Sequence, residues 1–562
     1  MAEIISREKM KKKIAIIVNE VSTLLHFRKE LVIDLVKEGY EVFCLAEGYE
    51  YSSKEMILSW GAKPVDHNLK RSNLNPLSDI IEVFKLRKKL KDINPDIVLT
   101  CFVKPVIFAS LAAKLAGIKK RVGMIEGLGY AFTPSTEKKG LKAKVIKFLQ
   151  IQLYRIALPT LDKVLFLNPD DQRDLIMDYN IKVKATEILG GIGVNLDYYH
   201  YSEPQVKKDI SFIFLGRLLR EKGIFEFLEA ARIVKKQKPN ANFIVLGQID
   251  KQNPTSMSEE TLQEYIDENI IEYLGYVKNV PDYIEKADVF VLPSYREGVP
   301  KSTQEAMAMG KVILTTDVPG CRETAIDGLN GFIVPVFSSK KLAEKMLYLI
   351  DNPSLVRTMG IESRKIAEAK FDVRKINKKI ISILEKMIIT GASGFIGKSL
   401  THYFREEKAI WVDEVSLRGS WTLDKNADAI IHLAAKSADT YKAKDEREYF
   451  EVNRDLTIKL FQEFLDSNIN DFIYFSSAKV IADSSDDLLD EETALSPASV
   501  YGRSKDIWSW TGYTWEELQL ETPDKKALLQ ELDILVDGRF DIKKRDLTLQ
   551  FRGSSNQRII DV

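Results

Sequence analysis

The sequence predicts an α/β protein with three successive parallel sheets, the third of them incomplete, followed by a short C-terminal fragment. From Lys13 onward, short apolar runs of β type alternate with helical patterns, a rhythm typical of βαβ units. The rhythm restarts at Ser211 and again at Met387. With a further change of character after Lys505, these restarts predict four segments in a chain of 562 residues, 1–200, 201–386, 387–505 and 506–562.

The first two segments each contain the strands of a parallel sheet. The predicted strands of the first are KIAIIV, EVFCLA, DIVLTC, KVLFLN and EILGG, and those of the second are SFIFLG, FIVLG, VFVLPS, VILTTD and GFIVPV. Two α/β domains face to face create a cleft at the carboxyl ends of their strands, where ligands bind in open α/β sheets. We expect the functional site in that cleft.

The composition excludes several classes of protein. The 82 basic and 82 acidic side chains cancel, so we expect no nucleic-acid partner held by a whole-chain field. The three cysteines lie far apart in sequence, and no apolar run is long enough to span a bilayer. Because the N-terminus lacks the apolar core of a signal peptide, we expect a cytoplasmic protein. The five histidines form no close ligand pair, which favours a site without metal.

The turn GRLLREKG follows the strand SFIFLG directly. It places Gly216, Arg217 and Lys222 between a strand and a helix, where two cations beside a helix N-terminus suit a diphosphate. A solvated basic turn is the alternative interpretation of this segment alone.

The segment YREGVPKSTQEAMAMG follows the strand VFVLPS and carries Glu297 and Glu305. These carboxylates can accept hydrogen bonds from sugar or ribose hydroxyls, although a capping or surface role stays open for each. The next strand, VILTTD, leads into a loop with Gly320. The sequence therefore predicts that three loops at successive strand ends converge on one cleft.

In their order and spacing, GRLLREKG, EGVPKSTQE and VPGCRETAIDGLNGF make residues 12–386 resemble the family 4 retaining glycosyltransferases. The resemblance implies two Rossmann-like domains in the GT-B arrangement, with the last helix crossing back. It implies that Arg217 and Lys222 hold the diphosphate of a nucleotide-sugar donor. It also implies that Glu297 contacts the donor sugar and Glu305 the ribose, as the catalytic pair of the transferase.

The first domain is similar to a narrower group that extends bacterial surface polysaccharides, such as capsule or O-antigen, on undecaprenyl-diphosphate carriers. The similarity rests on FVKPVIFASLAAKLAG, GMIEGLGYAFT, LFLNPDDQ and GGIGVNLDYY. It implies a lipid-linked or other glycan acceptor, and a UDP-linked sugar is the default expectation for the donor. A histidine frequent in the family is absent from MIEGLGY, so Glu126 is the candidate polar group on the acceptor side. Retention can proceed by electrostatic stabilisation of the leaving group, without a base.

The segment TEKKGLKAKVIKFLQIQLYRIAL mixes cations with apolar residues at helical spacing. An interfacial helix that contacts anionic lipid is one interpretation, and an ordinary helix with a solvated basic face is the other. The cations are Lys138, Lys139, Lys142, Lys144, Lys147 and Arg155, and the apolar residues are Val145, Ile146, Phe148 and Leu149. Peripheral contact with the inner face of the plasma membrane is therefore an expectation.

The third segment opens with TGASGFIG directly after a short strand. Gly391, Gly394 and Gly397 permit the tight turn, the close pyrophosphate approach and the helix packing of a dinucleotide site. Further along, FIYFSSAK and YGRSK supply a serine, a tyrosine and a lysine in an order that suits general base chemistry on a hydroxyl. These residues are Ser477, Tyr501 and Lys505.

Residues 387–505 resemble the nucleotide-sugar epimerase and dehydratase branch of the extended short-chain dehydrogenases. The resemblance implies NAD or NADP at the three glycines and a catalytic role for the serine, tyrosine and lysine. Asp413 is the candidate ribose contact, whereas Arg418 would indicate a 2′-phosphate. Because the chain departs from that pattern after Lys505, we expect an uncovered sheet edge, impaired folding and no epimerase or reductase turnover.

Residues 506–562 resemble the C-terminal end of the activating protein of anaerobic ribonucleotide reductase, through WTGYTWEEL, LDILVDGRF and FRGSSNQRIIDV. That family's radical chemistry needs a CxxxCxxC motif, and no cysteine follows Cys321 in this sequence. We expect no such chemistry from the tail.

The resulting expectation is a retaining glycosyltransferase joined to an incomplete nucleotide-sugar enzyme and a foreign tail. Fused reading frames of a polysaccharide gene cluster would explain the junction at Met387, which has no linker. Two alternatives stay open: a bifunctional enzyme that also modifies its donor, and a transferase with a non-catalytic nucleotide-binding module.

Overall fold

A computed structural model describes residues 2–6, 12–69, 76–134, 141–206, 209–251, 253, 255–408, 410–425, 427–436, 446–467, 469–475, 501, 504, 534–537 and 558–561. The chain divides into two compact units, one of residues 12–378 and one of residues 1–11 with 379–562. The first strand, β1 (Ala2–Ser6), belongs to the smaller unit.

The larger unit begins with a sheet of seven parallel strands in the order β4-β3-β2-β5-β6-β7-β8. These strands are β2 (Lys13–Glu20), β3 (Glu41–Glu47), β4 (Lys63–Asp66), β5 (Ile97–Cys101), β6 (Lys120–Ile125), β7 (Lys163–Phe166) and β8 (Thr186–Ile188). Every residue of β5 is buried, as expected of a parallel strand covered on both faces. The five predicted runs form β2, β3, β5, β7 and β8, whereas β4 and β6 were not predicted.

Helices cover both faces of this sheet. They are α1 (Val21–Phe27), α2 (Lys29–Lys37), α3 (Tyr51–Ser59), α4 (Pro76–Ile93), α5 (Ser110–Ala116), α6 (Leu141–Ala157) and α7 (Pro169–Gln172). α4, α5 and α6 contribute to one hydrophobic core with the sheet. α7 begins after Asn168, whose side chain accepts a hydrogen bond from the amide of Asp171, as expected of an N-cap.

The second sheet has six parallel strands in the order β11-β10-β9-β12-β13-β14. They are β9 (Ser211–Leu215), β10 (Asn242–Leu246), β11 (Glu272–Gly275), β12 (Val289–Leu292), β13 (Val312–Thr316) and β14 (Gly331–Val334). Its helices are α8 (Ile224–Gln237), α9 (Glu259–Asp267), α10 (Val280–Lys286), α11 (Lys301–Ala308), α12 (Ser339–Asp351), α13 (Ser354–Lys370) and α14 (Val373–Leu384).

The carboxyl ends of the two sheets meet within the larger unit. Asn168, just after β7, donates a hydrogen bond to the carbonyl oxygen of Gly298, which lies after β12. The helix that follows the second domain, α14, returns to the first domain, where Asn377 Nδ2 lies 2.7 Å from Asp34 Oδ2 on α2. The predicted cleft therefore lies where the two sets of strand ends face each other.

The smaller unit contains a five-stranded sheet in the order β1-β18-β17-β15-β16. Its further strands are β15 (Lys386–Thr390), β16 (Trp411–Val415), β17 (Ala429–His432) and β18 (Asp471–Phe475), and its helices are α15 (Phe395–His402), α16 (Glu446–Phe450) and α17 (Leu456–Leu465). The expected uncovered edge at β18 is wrong, because β1 pairs with it antiparallel from Ala2 opposite Phe475 to Ser6 opposite Asp471. Pairing satisfies backbone groups that an edge strand exposes.

Two short antiparallel strands, β19 (Ile534–Asp537) and β20 (Arg558–Asp561), account for the described part of the tail. Among the helices that the structure describes, none combines the length and the apolar character needed to cross a membrane. The predicted α/β class, with two complete parallel sheets and a partial third domain, is confirmed.

Candidate active site

The turn after β9 brings a helix N-terminus to the cleft. Gly216 and Arg217 directly follow the strand, and Gly223 is the N-cap of α8. At Gly223 the φ angle is 75°, and a Cβ would lie 2.1 Å from the carbonyl oxygen of Pro293. Only glycine fits there, and it lets α8 begin against the loop that follows β12.

Lys222 and Glu297 lie in contact, although 75 residues separate them in sequence. Lys222 Nζ is 2.6 Å from Glu297 Oε1, and the Ser294 hydroxyl donates to the same oxygen at 2.7 Å. The Glu297 side chain is only 10% exposed. A donor that brings phosphate oxygens and sugar hydroxyls would supply both residues with new partners, since one is a cation and the other an acceptor.

Arg217 lies at the same strand end with its side chain two-fifths exposed. Its Nη1 is 3.2 Å from Asp250 Oδ2, beyond the end of β10. Because this pair is open to solvent, the guanidinium is available to an entering anion.

Glu305 lies within α11 and is buried, with 7% of its surface exposed. Lys301 Nζ is 3.5 Å from its carboxylate, and the hydroxyl of Tyr199 is a hydrogen-bond donor to it. Burial raises the pKa of Glu305, and Lys301 and Tyr199 oppose that shift. Lys301 Nζ also donates to the carbonyl oxygen of His26, which joins α11 to the first domain.

Gly320 packs the loop after β13 against the loop that carries Glu297. Its φ angle is 78°, and a Cβ would lie 2.3 Å from the carbonyl oxygen of Glu297 and 2.4 Å from that of Gly298. The amide of Glu297 donates to the carbonyl oxygen of Pro319 at 3.1 Å. The three loops that the sequence predicts to converge therefore do so.

Glu126 forms a buried ion pair with Arg28, and their side chains are 6% and 2% exposed. Burial raises the pKa of Glu126, and the guanidinium of Arg28 opposes the shift. The backbone carbonyl of Glu126 also lies against Gly298, where a Cβ would approach it to 2.0 Å. The carboxylate predicted for the acceptor side is thus occupied by a partner on its own domain.

Several side chains at the cleft were not singled out from the sequence. Ser294 and Lys301 bind the two carboxylates directly, and Asn168, Asp171 and Arg296 join the domains. Two local signals existed: Arg296 precedes Glu297 in sequence, and NPDD is a capping pattern. Neither signal indicates which residue of the other domain Arg296 or Asp171 contacts.

The outer face of α6 is apolar, as one of the two interpretations requires. Val145, Phe148, Leu149 and Ile156 are between 47% and 60% exposed. Lys144 is exposed, whereas Lys147 Nζ lies 4.5 Å from the ring centroid of Phe132. Lys138 and Lys139, as well as the side chain of Lys142, lie outside what the structure describes. Arg155 is exposed and donates to the carbonyl oxygen of Tyr179.

The glycine turn of the third domain has the geometry of a dinucleotide site. Gly391 has a φ angle of 72°, and a Cβ on Gly397 would lie 2.2 Å from the Gly391 carbonyl oxygen. At Gly394, the N-cap of α15, a Cβ would meet one neighbour within 4 Å, the Gly391 carbonyl oxygen at a tight 3.3 Å. The protein's own packing therefore requires glycine at the first and third positions and leaves the second less crowded.

The remaining predicted residues of the third domain are only partly placed. Asp413, the candidate ribose contact, lies in the middle of β16 opposite Ile388, and its Oδ2 is 3.2 Å from Lys386 Nζ at the start of β15. Arg418 follows the carboxyl end of β16 and is exposed. Tyr501 accepts a hydrogen bond from Ser504 at its carbonyl oxygen. Ser477 and Lys505 lie outside the described residues.

In the part of the chain that the structure describes, no group of three or more His, Cys, Asp or Glu side chains has the arrangement of a metal site.

Four family models match this chain. Residues 13–168 match glycosyl transferase 4-like, and residues 199–366 match glycosyl transferases group 1. Residues 387–519 match the NAD dependent epimerase/dehydratase family, and residues 496–560 match the 4Fe-4S single cluster domain. The last match contains no cysteine and so lacks the thiolates that hold such a cluster.

Two curated relatives are similar over the first two domains. One is the N,N′-diacetylbacillosaminyl-diphospho-undecaprenol alpha-1,3-N-acetylgalactosaminyltransferase of Campylobacter jejuni, 28% identical over 65% of this chain and 96% of that protein. The other is the UDP-Gal:alpha-D-GlcNAc-diphosphoundecaprenol alpha-1,3-galactosyltransferase of Escherichia coli, 25% identical over 56% of this chain and 82% of that protein.

Among solved structures, Anabaena Alr3699/HepE in complex with UDP is similar in fold. It is 18% identical, covers 67% of this chain and 99% of its own, and has a TM-score of 0.52. The two parallel sheets and their facing strand ends thus form the GT-B arrangement.

Proposed function

We propose that this chain, a glycosyltransferase in its first two domains, transfers a sugar from a UDP-linked donor to a glycan carried on undecaprenyl diphosphate, with retention of anomeric configuration. The observation that carries the proposal is the contact of Lys222 with Glu297 at the N-terminus of α8. The printed activities of the Campylobacter and Escherichia coli relatives support the choice of acceptor class.

The geometry supports a mechanism driven by leaving-group stabilisation. Arg217, Lys222 and the N-terminus of α8 offer positive charge to a diphosphate, whose negative charge grows as the bond to the sugar breaks. As Lys222 turns to the phosphate, the carboxylate of Glu297 becomes free to accept a hydrogen bond from a sugar hydroxyl. Glu305 would accept from the ribose in exchange for Tyr199 or Lys301. As the acceptor oxygen bonds to the sugar, its proton passes to the departing diphosphate oxygen, so no step needs a protein base, which agrees with the engagement of Glu126 by Arg28.

The proposal is tested with the purified full chain, a panel of UDP and GDP sugars, and undecaprenyl-diphosphate-linked N-acetylhexosamine as acceptor. We expect consumption of at least one UDP sugar and a lipid-linked product whose new linkage keeps the donor's anomeric configuration by NMR. An inverted product would contradict the retaining mechanism. No consumption of any sugar nucleotide, with the acceptor present, would contradict the transferase itself.

We also propose that the outer faces of α4 and α6 contact the membrane that holds the acceptor. Both helices pack on the same hydrophobic core, and both expose apolar side chains away from it. On α4 these are Ile80, Ile81 and Phe84, from 47% to 58% exposed. The nearby Lys144 adds attraction to anionic headgroups. An apolar face flanked by cations is typical of a surface that lies in the interface of a bilayer.

Replacing Phe148 and Leu149 together with serine is expected to weaken pelleting with vesicles of phosphatidylcholine and phosphatidylglycerol by about tenfold or more, because each buried apolar side chain contributes about 1–2 kcal/mol. Lys144→Gln is expected to weaken it by roughly fivefold at low salt. The matched control is Tyr348→Ser on α12, which removes another half-exposed apolar residue. Equal pelleting of the Phe148 and Leu149 variant and this control would contradict membrane contact through α6.

For the third domain we propose dinucleotide binding without turnover. The glycine turn at Gly394, beside the N-terminus of α15, suits a pyrophosphate, and a bound nicotinamide cofactor would supply hydride chemistry there. Glu414, near the carboxyl end of β16, pairs with Arg405, and Ser416 and Arg418 follow that end, where a dinucleotide's adenosine ribose lies in this fold. This sequence favours a 2′-phosphate and therefore NADP over NAD.

Titration of the full chain with NADPH and NADH, followed by cofactor fluorescence, tests this assignment. We expect NADPH to bind about tenfold more tightly, and Arg418→Ala to remove that difference, because a charge-assisted hydrogen bond contributes about 1.5–3 kcal/mol. Gly394→Val should abolish binding of both by filling the space. Equal affinity for the two cofactors would contradict the NADP preference, and oxidation of NADPH with a keto-sugar nucleotide would favour the bifunctional alternative.

A further inference from the structure

The loop that carries Glu297 is held from three sides by the first domain. Asn168 Nδ2 donates to the carbonyl oxygen of Gly298 at 2.5 Å. Arg296 reaches Asp171 Oδ1 with Nε at 3.1 Å and with Nη2 at 2.5 Å. The backbone of Glu126 and Gly127 packs against Gly298. The residue before Glu297 and the residue after it are thus both fixed by groups across the cleft.

The ion pair is buried, which makes its geometry strict. The side chains of Asp171 and Arg296 are 0% and 9% exposed, and Arg296 Nη2 also contacts Asp174 Oδ2 at 2.7 Å. A buried pair gains little net free energy because both charges lose their hydration, so its value lies in fixing one arrangement. Asp171 is itself fixed by the cap of α7, since its amide donates to Asn168 Oδ1 and its Oδ2 accepts from Asn168 Nδ2.

A second ion pair restrains the neighbouring loop. Arg322 Nη1 lies 2.6 Å from Asp170 Oδ2, and Arg322 follows Gly320 by two residues. Because Gly320 packs against the carbonyl oxygens of Glu297 and Gly298, both loops that border Glu297 are tied to α7 and its cap.

We infer that Asp171 is a positioning residue for sugar transfer: through Arg296 it fixes the backbone that directs the Glu297 carboxylate, so that docking of the two domains assembles the donor-sugar site. This inference rests on the proposed transferase function. It separates the site into two parts. The diphosphate partners, Arg217 and Lys222, belong to the second domain alone, whereas the placement of Glu297 depends on both domains.

The test compares Asp171→Asn with a matched buried control, Asp162→Asn. Asp162 has a similarly buried side chain paired with Lys184. It directly precedes β7 and so lies at the amino ends of the strands, whereas the cleft lies at their carboxyl ends. We expect Asp171→Asn to lower kcat for transfer by roughly 10- to 100-fold, as small misplacements of reacting groups do, with the Kd for UDP nearly unchanged. The control should lose a similar amount of thermal stability while kcat stays within about twofold of wild type.

Conservative replacement of Arg296 gives a further test, because kcat should respond to it in a way that a purely stabilising role of Asp171 does not predict. Arg296→Lys keeps the charge but loses the planar guanidinium fork that contacts both Asp171 and Asp174, so it should retain an intermediate kcat. Asp171→Asn combined with Arg296→Gln should be no slower than Arg296→Gln alone, since both changes break the Asp171–Arg296 contact. Equal kcat for Asp171→Asn and Asp162→Asn, or a loss of UDP affinity as large as the loss of kcat, would overturn the inference.

Hydrogen exchange distinguishes a failure of this inference from a failure of the proposed function. In Asp171→Asn, amides of the peptide 293–300 should exchange about tenfold faster or more, while those of β9 stay protected. This measurement needs no donor. If the wild-type chain transfers no sugar, the transferase proposal fails while the exchange rates still decide the positioning role. Unchanged exchange in 293–300 would overturn it whatever the activity.

Discussion

Glu297→Gln is expected to lower both sugar transfer and donor hydrolysis by about three orders of magnitude, a loss typical of removing one preorganised charged group from a transition state. The carboxylate is nine-tenths buried and lies 2.6 Å from Lys222 Nζ. Glutamine keeps the shape of the side chain but removes its negative charge. That charge stabilises the positive charge that develops on the donor sugar in the transition state. Steady-state assays with the UDP sugar that the wild type consumes fastest give the measurement.

The matched control for this change is Glu203→Gln. Glu203 is half-exposed and pairs with Arg357 on the surface at 2.5 Å, so the same chemical change is made away from the cleft. Activity of this control should stay within about twofold of wild type, since exposed pairs contribute little. Glu297→Gln with activity equal to that of the control would contradict the assignment of the donor-sugar site.

Lys222→Gln is expected to lower kcat/KM by roughly 100-fold and to weaken UDP binding by about tenfold, because it removes a charge-assisted hydrogen bond to the diphosphate. The loss in kcat/KM should exceed the loss in UDP affinity, since the leaving diphosphate carries its full charge only late in the reaction. Calorimetric titration with UDP and initial rates with the UDP sugar measure the two quantities.

Lys236→Gln is the control for that variant. Lys236 is an exposed cation in the last turn of α8, whereas Lys222 lies just before its first. If Lys222 acted only by long-range attraction, both variants would lose the same amount of UDP affinity, and that loss would vanish at high salt. Equal UDP affinity of Lys222→Gln and Lys236→Gln at moderate salt would contradict a direct phosphate contact by Lys222.

Most strands of the three sheets could be predicted from the sequence, because each is a short apolar run bounded by turn residues. The run VFVLPS, for example, is buried throughout as β12, and VILTTD forms β13. The more polar strands β4 (KPVD), β11 (EYLG) and β16 (WVDEV) could not. The sequence also predicted that Glu297 and Gly320 lie close together, because both follow predicted strands and the carboxyl ends of parallel strands lie at the same end of a sheet. A local sequence pattern is sufficient for these two predictions, because the direction of a strand determines at which end of the sheet the following loop lies.

Contacts between distant segments could not be predicted in this way. Nothing local to NPDD indicates that Asp171 meets Arg296, which is 125 residues away. The antiparallel pairing of β1 with β18 is of the same kind, and it is why the uncovered edge was wrong. The role of Asp413 depends on where β16 ends, which the sequence does not show. In the structure Asp413 is the middle residue of that strand and contacts Lys386.

The most direct test of the central claim, that the first two domains contain the whole transferase, compares the full chain with a chain ending at Glu385. Residues 12–378 form a compact unit, and this end point keeps α14 intact. We predict donor hydrolysis and lipid-linked transfer within about twofold for the two lengths, both abolished by Glu297→Gln, because all the proposed donor-site residues lie within residues 12–378. Activity in the full chain alone would contradict the claim.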